Sequence, residues 1–425
     1  MSPRQTWWRG ILQVGIFLAL AAPAAPAADR APAGKPGAAK KLHVGQRHGE
    51  SDEQYTKRRD LLVKRSEKDK DGLYTLRTQP FIIRTDISAD FTADTALFME
   101  MLHREYGKTY AKMGLPQGPA KEWIEVVVYA DRATYMRTGG SAGSGGQFMQ
   151  AIRFTDRPPT WSATHYRLAM FTDGETEFAK WEKGTLQHEA AHMELQLRLG
   201  FLVDSPRWFN EGQASCFENW DFDKTVDENL AAIPRRGRYA PVIRRAAGTD
   251  KLKPFSYVWE IDAASWHAAM TDSQGGLNYS MAWSLAAYML NEGKTGRKAF
   301  RTVYGLSKRV GADRQISATG TKTRAWQNEF PAPEQKKLEH EWIAWIDRCL
   351  PKEKANPDER DGLINMGYDP DENELVPLTK ERWEKLKPGK AGKKKADDAG
   401  KGGGKSDAKK KPPADDESGG GPIEG

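Results

Sequence analysis

The chain has 425 residues and a formal charge of +7, from 65 Lys+Arg against 58 Asp+Glu, a length that suits one large domain or two ordinary ones. Residues 1–50 carry net +5, residues 388–425 net +2, and residues 51–387 are neutral, which excludes the body as a basic nucleic-acid-binding domain. Two cysteines, Cys216 and Cys349, exclude a disulfide-built scaffold; whether they pair or stay free is open.

The N-terminus has the organisation of a secretory signal. Arg4 and Arg9 precede an apolar run from Ile11 to Ala22 that is short for a bilayer span, and Ala25-Pro26-Ala27 supplies a small-x-small cleavage pattern. Residues 1–27 are therefore expected to leave, and the mature chain to be secreted or periplasmic without stable membrane insertion. Residues 28–74 read as a flexible, charged linker, in which 51–70 has the composition of a solvated helix. Glu67 to Gly72 is faintly like a calcium loop, but its twelfth position is Thr78 where a bidentate Glu is needed, so a turn is expected.

The body opens with β-forming residues over Leu73–Ser88, centred on Phe81-Ile82-Ile83. Helical spacing of Leu97, Met101 and Tyr106 predicts a helix over Thr92–Met113. Trp123–Tyr129 reads as a buried strand. Ser141–Gly146 is Gly-rich but lacks the Lys-Ser/Thr of a phosphate loop, so a plain loop is expected. Tyr166–Phe171 alternates as a further strand. From there the chain turns helical, near 178–200, 206–219, 280–292, 296–309 and 333–349. Strands first and helices later predict an α+β fold. Residues 75–350 form the expected domain and 351–387 a C-terminal extension. Residues 388–425 hold no aromatic residue and are expected to be a disordered low-complexity tail.

One stretch carries chemistry: His188-Glu189-Ala-Ala-His192, an H-E-x-x-H run with helix-forming neighbours. Residues four apart share one helix face, so both imidazoles can meet one metal ion while Glu189 lies beside them. Eighteen residues intervene before Glu211, in Ser205-Pro206-Arg-Trp208-Phe-Asn-Glu211-Gly212-Gln-Ala214-Ser215. Ser205 and Pro206 suit the start of a second helix, which a short loop would fold back on the first. Two His and one Glu leave zinc a fourth position for water.

H-E-x-x-H, this gap and N-E-G-x-A-S together resemble the gluzincin metallopeptidases. The likeness is closest to secreted peptidase-MA-like proteins and more distant to the aminopeptidase N type. The specific match covers about 185–216, and a looser likeness runs over roughly 75–350. The resemblance implies a zincin-like domain, strand-rich first and helical later. It implies Zn2+ held by His188, His192 and Glu211, and a zinc-bound water attacking a peptide bond with Glu189 as general base. Gluzincins add a Tyr or His that stabilises the oxyanion; Tyr279 is the candidate here and His267 the second. Ser215, one turn after Glu211, is a candidate to steady a ligand, although an ordinary helix serine fits as well. Trp208 reads as core packing. Tyr166–Phe171 is either an edge strand that pairs with an extended peptide or an internal strand. Aminopeptidases of this class carry Gly-x-Met-Glu-Asn, whose Glu grips the free amine. Gly145-Gly146-Gln147-Phe148 lacks that Glu, which favours either an endopeptidase acting on a peptide or protein substrate or action on an unknown amide. Two other readings are a non-catalytic binding protein on the same scaffold and an envelope interaction protein acting through its basic tails.

Overall fold

The computed structural model describes residues 43–386, apart from 44, 48, 116–122, 142–143, 157–158, 201–204, 236–237, 262, 270–272, 313–327, 329–330 and 351–356. The expected signal peptide and low-complexity tail lie outside the described residues. The chain divides into two units, Met1–Leu378 and Thr379–Gly425. The described part of the second is a short helix, Lys380–Leu386.

The first unit is mixed α+β. Its sheet has six strands: β1 (Glu67–Lys68), β2 (Tyr74–Thr78), β3 (Phe81–Thr85), β4 (Ile124–Tyr129), β5 (Gly146–Asp156) and β6 (Pro159–Phe171), in the order β1-β2-β3-β4-β6-β5. β3, β4 and β6 run parallel, and the outer pairs are antiparallel. Side chains alternate across each strand. Ile124, Val126 and Val128 of β4, with Tyr166, Leu168 and Met170 of β6, face the main core. Val127, Tyr129 and Ala169 face the other side, where Tyr135 of α3 (Arg132–Arg137) covers them.

Of the two readings of 73–88, a strand or a hairpin, the hairpin is found: β2 and β3 pair antiparallel across a turn at Gln79-Pro80. β5 and the first half of β6 were not expected. Tyr166–Phe171 belongs to an interior strand lying between β4 and β5, and β5 is the edge on that side of the sheet, with β1 at the opposite edge.

Two long elements hold the site. The helix α2 (Ala89–Lys112) begins at Ser88, whose side chain accepts from the Phe91 N–H, a conventional N-cap. It packs on β2 and β3 and against α4 (Gly184–Leu199), which follows β6 after turns at 172–183 and itself packs on β5 and β6. Tyr106 donates from its hydroxyl to the Gln187 carbonyl of α4 at 2.9 Å. Tyr110 donates to Gln213 of α5 (Arg207–Phe217). The cap of α5 differs from the expected one. Pro206, with extended ψ of 135°, occupies the N-cap position without a side-chain cap bond, so the helix starts at Arg207.

After α5 come α6 (Val226–Ala232), α7 (Ala240–Ala246), α8 (Phe255–Glu260), α9 (Ala263–Ala269), α10 (Ser273–Asn291), α11 (Gly293–Ala312), α12 (Ala332–Cys349) and α13 (Pro357–Asn365). α10 crosses α5 so closely that a Cβ on Gly212 would lie 2.2 Å from the Ala282 carbonyl oxygen. A glycine is needed there, and it sits beside Glu211. Trp208, Trp266, Trp283, Trp342 and Trp345 fill the helical core.

Two parts of the body extend past their expected bounds. α1 (Asp52–Arg65), inside the expected linker, buries Tyr55 and Leu62 in the main core. Leu363, Met366, Tyr368 and Leu375 of the expected C-terminal extension join the same core. Among the described residues no helix is long and apolar enough to cross a membrane.

Candidate metal centre

His188, Glu189 and His192 project from the middle of α4, and Glu211 from the middle of α5. The Nε2 atoms of the two histidines are 3.0 Å apart. Glu211 Oε2 lies 3.5 Å from His188 Nε2 and 3.6 Å from His192 Nε2. All three residues are buried, and as a group they can hold a metal ion.

The far side of each imidazole is tied to an acceptor. His188 Nδ1 is 2.9 Å from Glu218 Oε1, and His192 Nδ1 is 2.7 Å from Asn210 Oδ1. An acceptor on Nδ1 keeps the ring proton there and leaves the Nε2 lone pair for the centre. Asn210 precedes Glu211 in chain. Glu218 follows it by seven residues, two turns on, on the same helix face. That spacing is visible in the sequence, and Ser215, the candidate to steady a ligand, lies between the two. Ser215 Oγ bonds the Tyr239 hydroxyl at 3.3 Å, and that hydroxyl donates to Glu218 Oε1 at 2.7 Å. Nothing local in the sequence points to Tyr239 or to its neighbour Arg238, because both arrive from the segment before α7.

The charges in the pocket act on one another. Burial works against the His188 imidazolium, but the carboxylates of Glu211 and Glu218 outweigh it and lift its pKa to about 10. Burial likewise pushes Glu211 up, and His192, His188 and Arg207 more than offset it, holding Glu211 well below the ordinary carboxylate range. Arg207 Nε lies 3.6 Å from Glu211 Oε1. Glu189 is different: burial raises its pKa over the pull of His192 and His188. Glu189 Oε2 and Glu211 Oε1 are buried without a hydrogen-bond partner. A buried acidic pocket of this kind attracts a cation, and protons and metal compete for the same nitrogen.

Tyr279, on α10, donates from its hydroxyl to Glu211 Oε2 at 3.1 Å and packs edge-on against Trp266, their ring centroids 5.1 Å apart. The side chain of His267 lies outside the described residues. Trp208 is buried against Phe209 and Phe255, as core packing requires. Cys216 and Cys349 are both free thiols. Of the expected Gly-rich loop, Gly146 is built into the start of β5, where a Cβ would come 3.2 Å from Glu189 Cγ. The sheet edge thus runs directly beside Glu189. The calcium-like stretch is a turn: Asp69 accepts from the Asp71 and Leu73 N–H groups. The Arg84 guanidinium sits where a cation would, bonded to Asp69, Asp71 and Glu125.

Comparison with protein-family models and with curated proteins gives no match for this chain.

Proposed function

We propose that the protein is an exported zinc-dependent metallopeptidase with a zincin-like fold, acting within peptide or protein chains. The observation that carries this reading is the convergence of His188 Nε2, His192 Nε2 and Glu211 Oε2, with both Nδ1 atoms held from behind. A tetrahedral ion with bonds near 2 Å spaces its ligand atoms by about 3.3 Å; the three separations here are 3.0, 3.5 and 3.6 Å. Two imidazoles, one carboxylate and an acidic burial suit zinc.

Bound zinc supplies a water activated near neutral pH and a polarised substrate carbonyl. The remaining roles belong to the chain. Glu189 Oε2 has no competing donor, so it is available to take a proton during attack and return it to the leaving amine. The Tyr279 hydroxyl reaches the centre from α10 and supplies a donor for the developing oxyanion. β5 ends the sheet order beside Glu189, which leaves its outer edge to pair with an extended peptide. The neutral charge of residues 51–387 argues against nucleic acid as a partner. The export pattern at the N-terminus supports a secreted or periplasmic site of action.

Metal analysis of the purified chain, coupled to a peptide-library digest, tests this. About one zinc per chain is expected, with cleavage in the wild type. Glu189→Gln is expected to keep the zinc and lose at least about 100-fold in rate, the size of a general-base contribution. Absence of zinc after reconstitution, or zinc without cleavage of any peptide or protein substrate, overturns the reading.

A further inference from the structure

The segment just before α7 reaches the centre at one remove. Three donors meet on a single oxygen, Glu218 Oε1: His188 Nδ1 at 2.9 Å, the Tyr239 hydroxyl at 2.7 Å and Arg238 Nη2 at 3.3 Å. Arg238 Nη2 also donates to the Tyr239 hydroxyl at 3.2 Å. Glu218 is the C-cap residue of α5, with helical backbone angles of φ -51° and ψ -32°, so the helix brings it to the His188 side and leaves its carboxylate to be oriented by its own contacts. Its aim is set by what it bonds.

Those partners are themselves clamped. The Tyr239 ring is buried and stacked on Trp283 of α10, with centroids 5.8 Å apart. From the other side α13 lies on the Arg238 backbone: a Cβ on Gly362 would fall 2.7 Å from Arg238 Cα and 2.8 Å from its carbonyl oxygen. That contact admits only a glycine. A helix from the expected C-terminal extension therefore presses the Arg238–Tyr239 pair into place.

We infer that Arg238 and Tyr239, clamped between α10 and α13, are positioning residues that hold Glu218 against His188 and so set the affinity of the centre for its metal. The inference rests on the metal reading of the site. An imidazole backed by a fixed acceptor presents Nε2 in one orientation, and loss of such outer partners typically weakens metal binding by 10- to 100-fold. His192 is backed by Asn210 of the α5 helix itself, so only the His188 side depends on the remote clamp.

Zinc titration of the full-length, metal-free chain against a chelator of known affinity tests this with wild type, Tyr239→Phe, Glu218→Gln and the double variant. Tyr239→Phe keeps the stacked ring and removes only the hydroxyl. It is expected to weaken zinc binding about 10-fold, the low end for an outer partner. In the Glu218→Gln background the same change is expected to cost about 3-fold or less, because its effect runs through that carboxylate and coupled residues are not additive. Wild-type affinity in Tyr239→Phe, or equal losses in both backgrounds, overturns the inference while the metal site stands. A wild-type chain that binds no zinc overturns the metal reading itself, a result distinct from either.

Discussion

Tyr279 and Glu189 stand on opposite terms with the centre. The Tyr279 hydroxyl is bonded to Glu211 Oε2, the oxygen that faces both histidines, whereas Glu189 presents an oxygen with no hydrogen-bond partner. A group already bonded to a ligand can steady that ligand, donate to substrate, or both, and kinetics separates the two. Tyr279→Phe is expected to leave zinc stoichiometry at wild-type level and to lower kcat by about 100-fold, as loss of one oxyanion donor does. A steady-state assay with metal analysis on the same sample checks it; unchanged kcat would assign Tyr279 to ligand support alone. At this scale H-E-x-x-H was legible because four-residue spacing on a helix is a local property. Glu218 was legible in principle by the same rule, seven residues past Glu211. Arg238 and Tyr239 were not, since their partners are distant in sequence.

Among elements, the crossing of α5 and α10 decides whether Glu211 and Tyr279 meet. Gly212 sits at the crossing with the Ala282 carbonyl oxygen 2.2 Å from where a Cβ would be. Backbone cannot yield as a side chain can, so the helices must part. Gly212→Ala is expected to destabilise the fold by about 2 kcal/mol, within the usual range for overpacking, and to lower kcat through the widened Glu211–Tyr279 gap. Denaturant unfolding and kinetics on the same variant measure both. The edge strand teaches a related lesson. The alternation of Tyr166–Phe171 left edge and interior positions equally open, and the strand is enclosed by β4 and β5. Alternation reports that two faces differ, not whether a further strand lies alongside. β5 went unseen because the Gly-rich approach to it carries turn chemistry while its role is close packing on Glu189.

For the whole molecule, the body begins earlier than charge density suggested. Arg58 holds the Glu50 carboxylate by a two-pronged contact, at 2.8 Å on each oxygen, just ahead of α1. The hydrogen bond from Arg58 pulls the Glu50 pKa from an ordinary 4.5 to about 2. A lowered folded-state value means stability that is present above pH 4.5 and lost as pH falls towards 2. Glu50→Gln is therefore expected to cost about 1 kcal/mol at pH 7, the net contribution of one such hydrogen-bonded contact. Its deficit is expected to shrink by more than half between pH 5 and pH 3. Urea titrations of both proteins across that range check the sign. A deficit that grew with acidity would remove Glu50 from the folded-state balance.

The order of residues carries the local facts: the α+β succession, the long helices, and two histidines and a glutamate at spacings that suit one ion. It could do so because helical and strand periods are written within a few residues. It takes the folded chain to show which strand is the edge beside Glu189, that α1 and α13 belong to the core, and which groups stand behind each imidazole. Those depend on surfaces from different elements meeting, and a glycine at 212 or 362 shows its purpose only when the opposing backbone is in place.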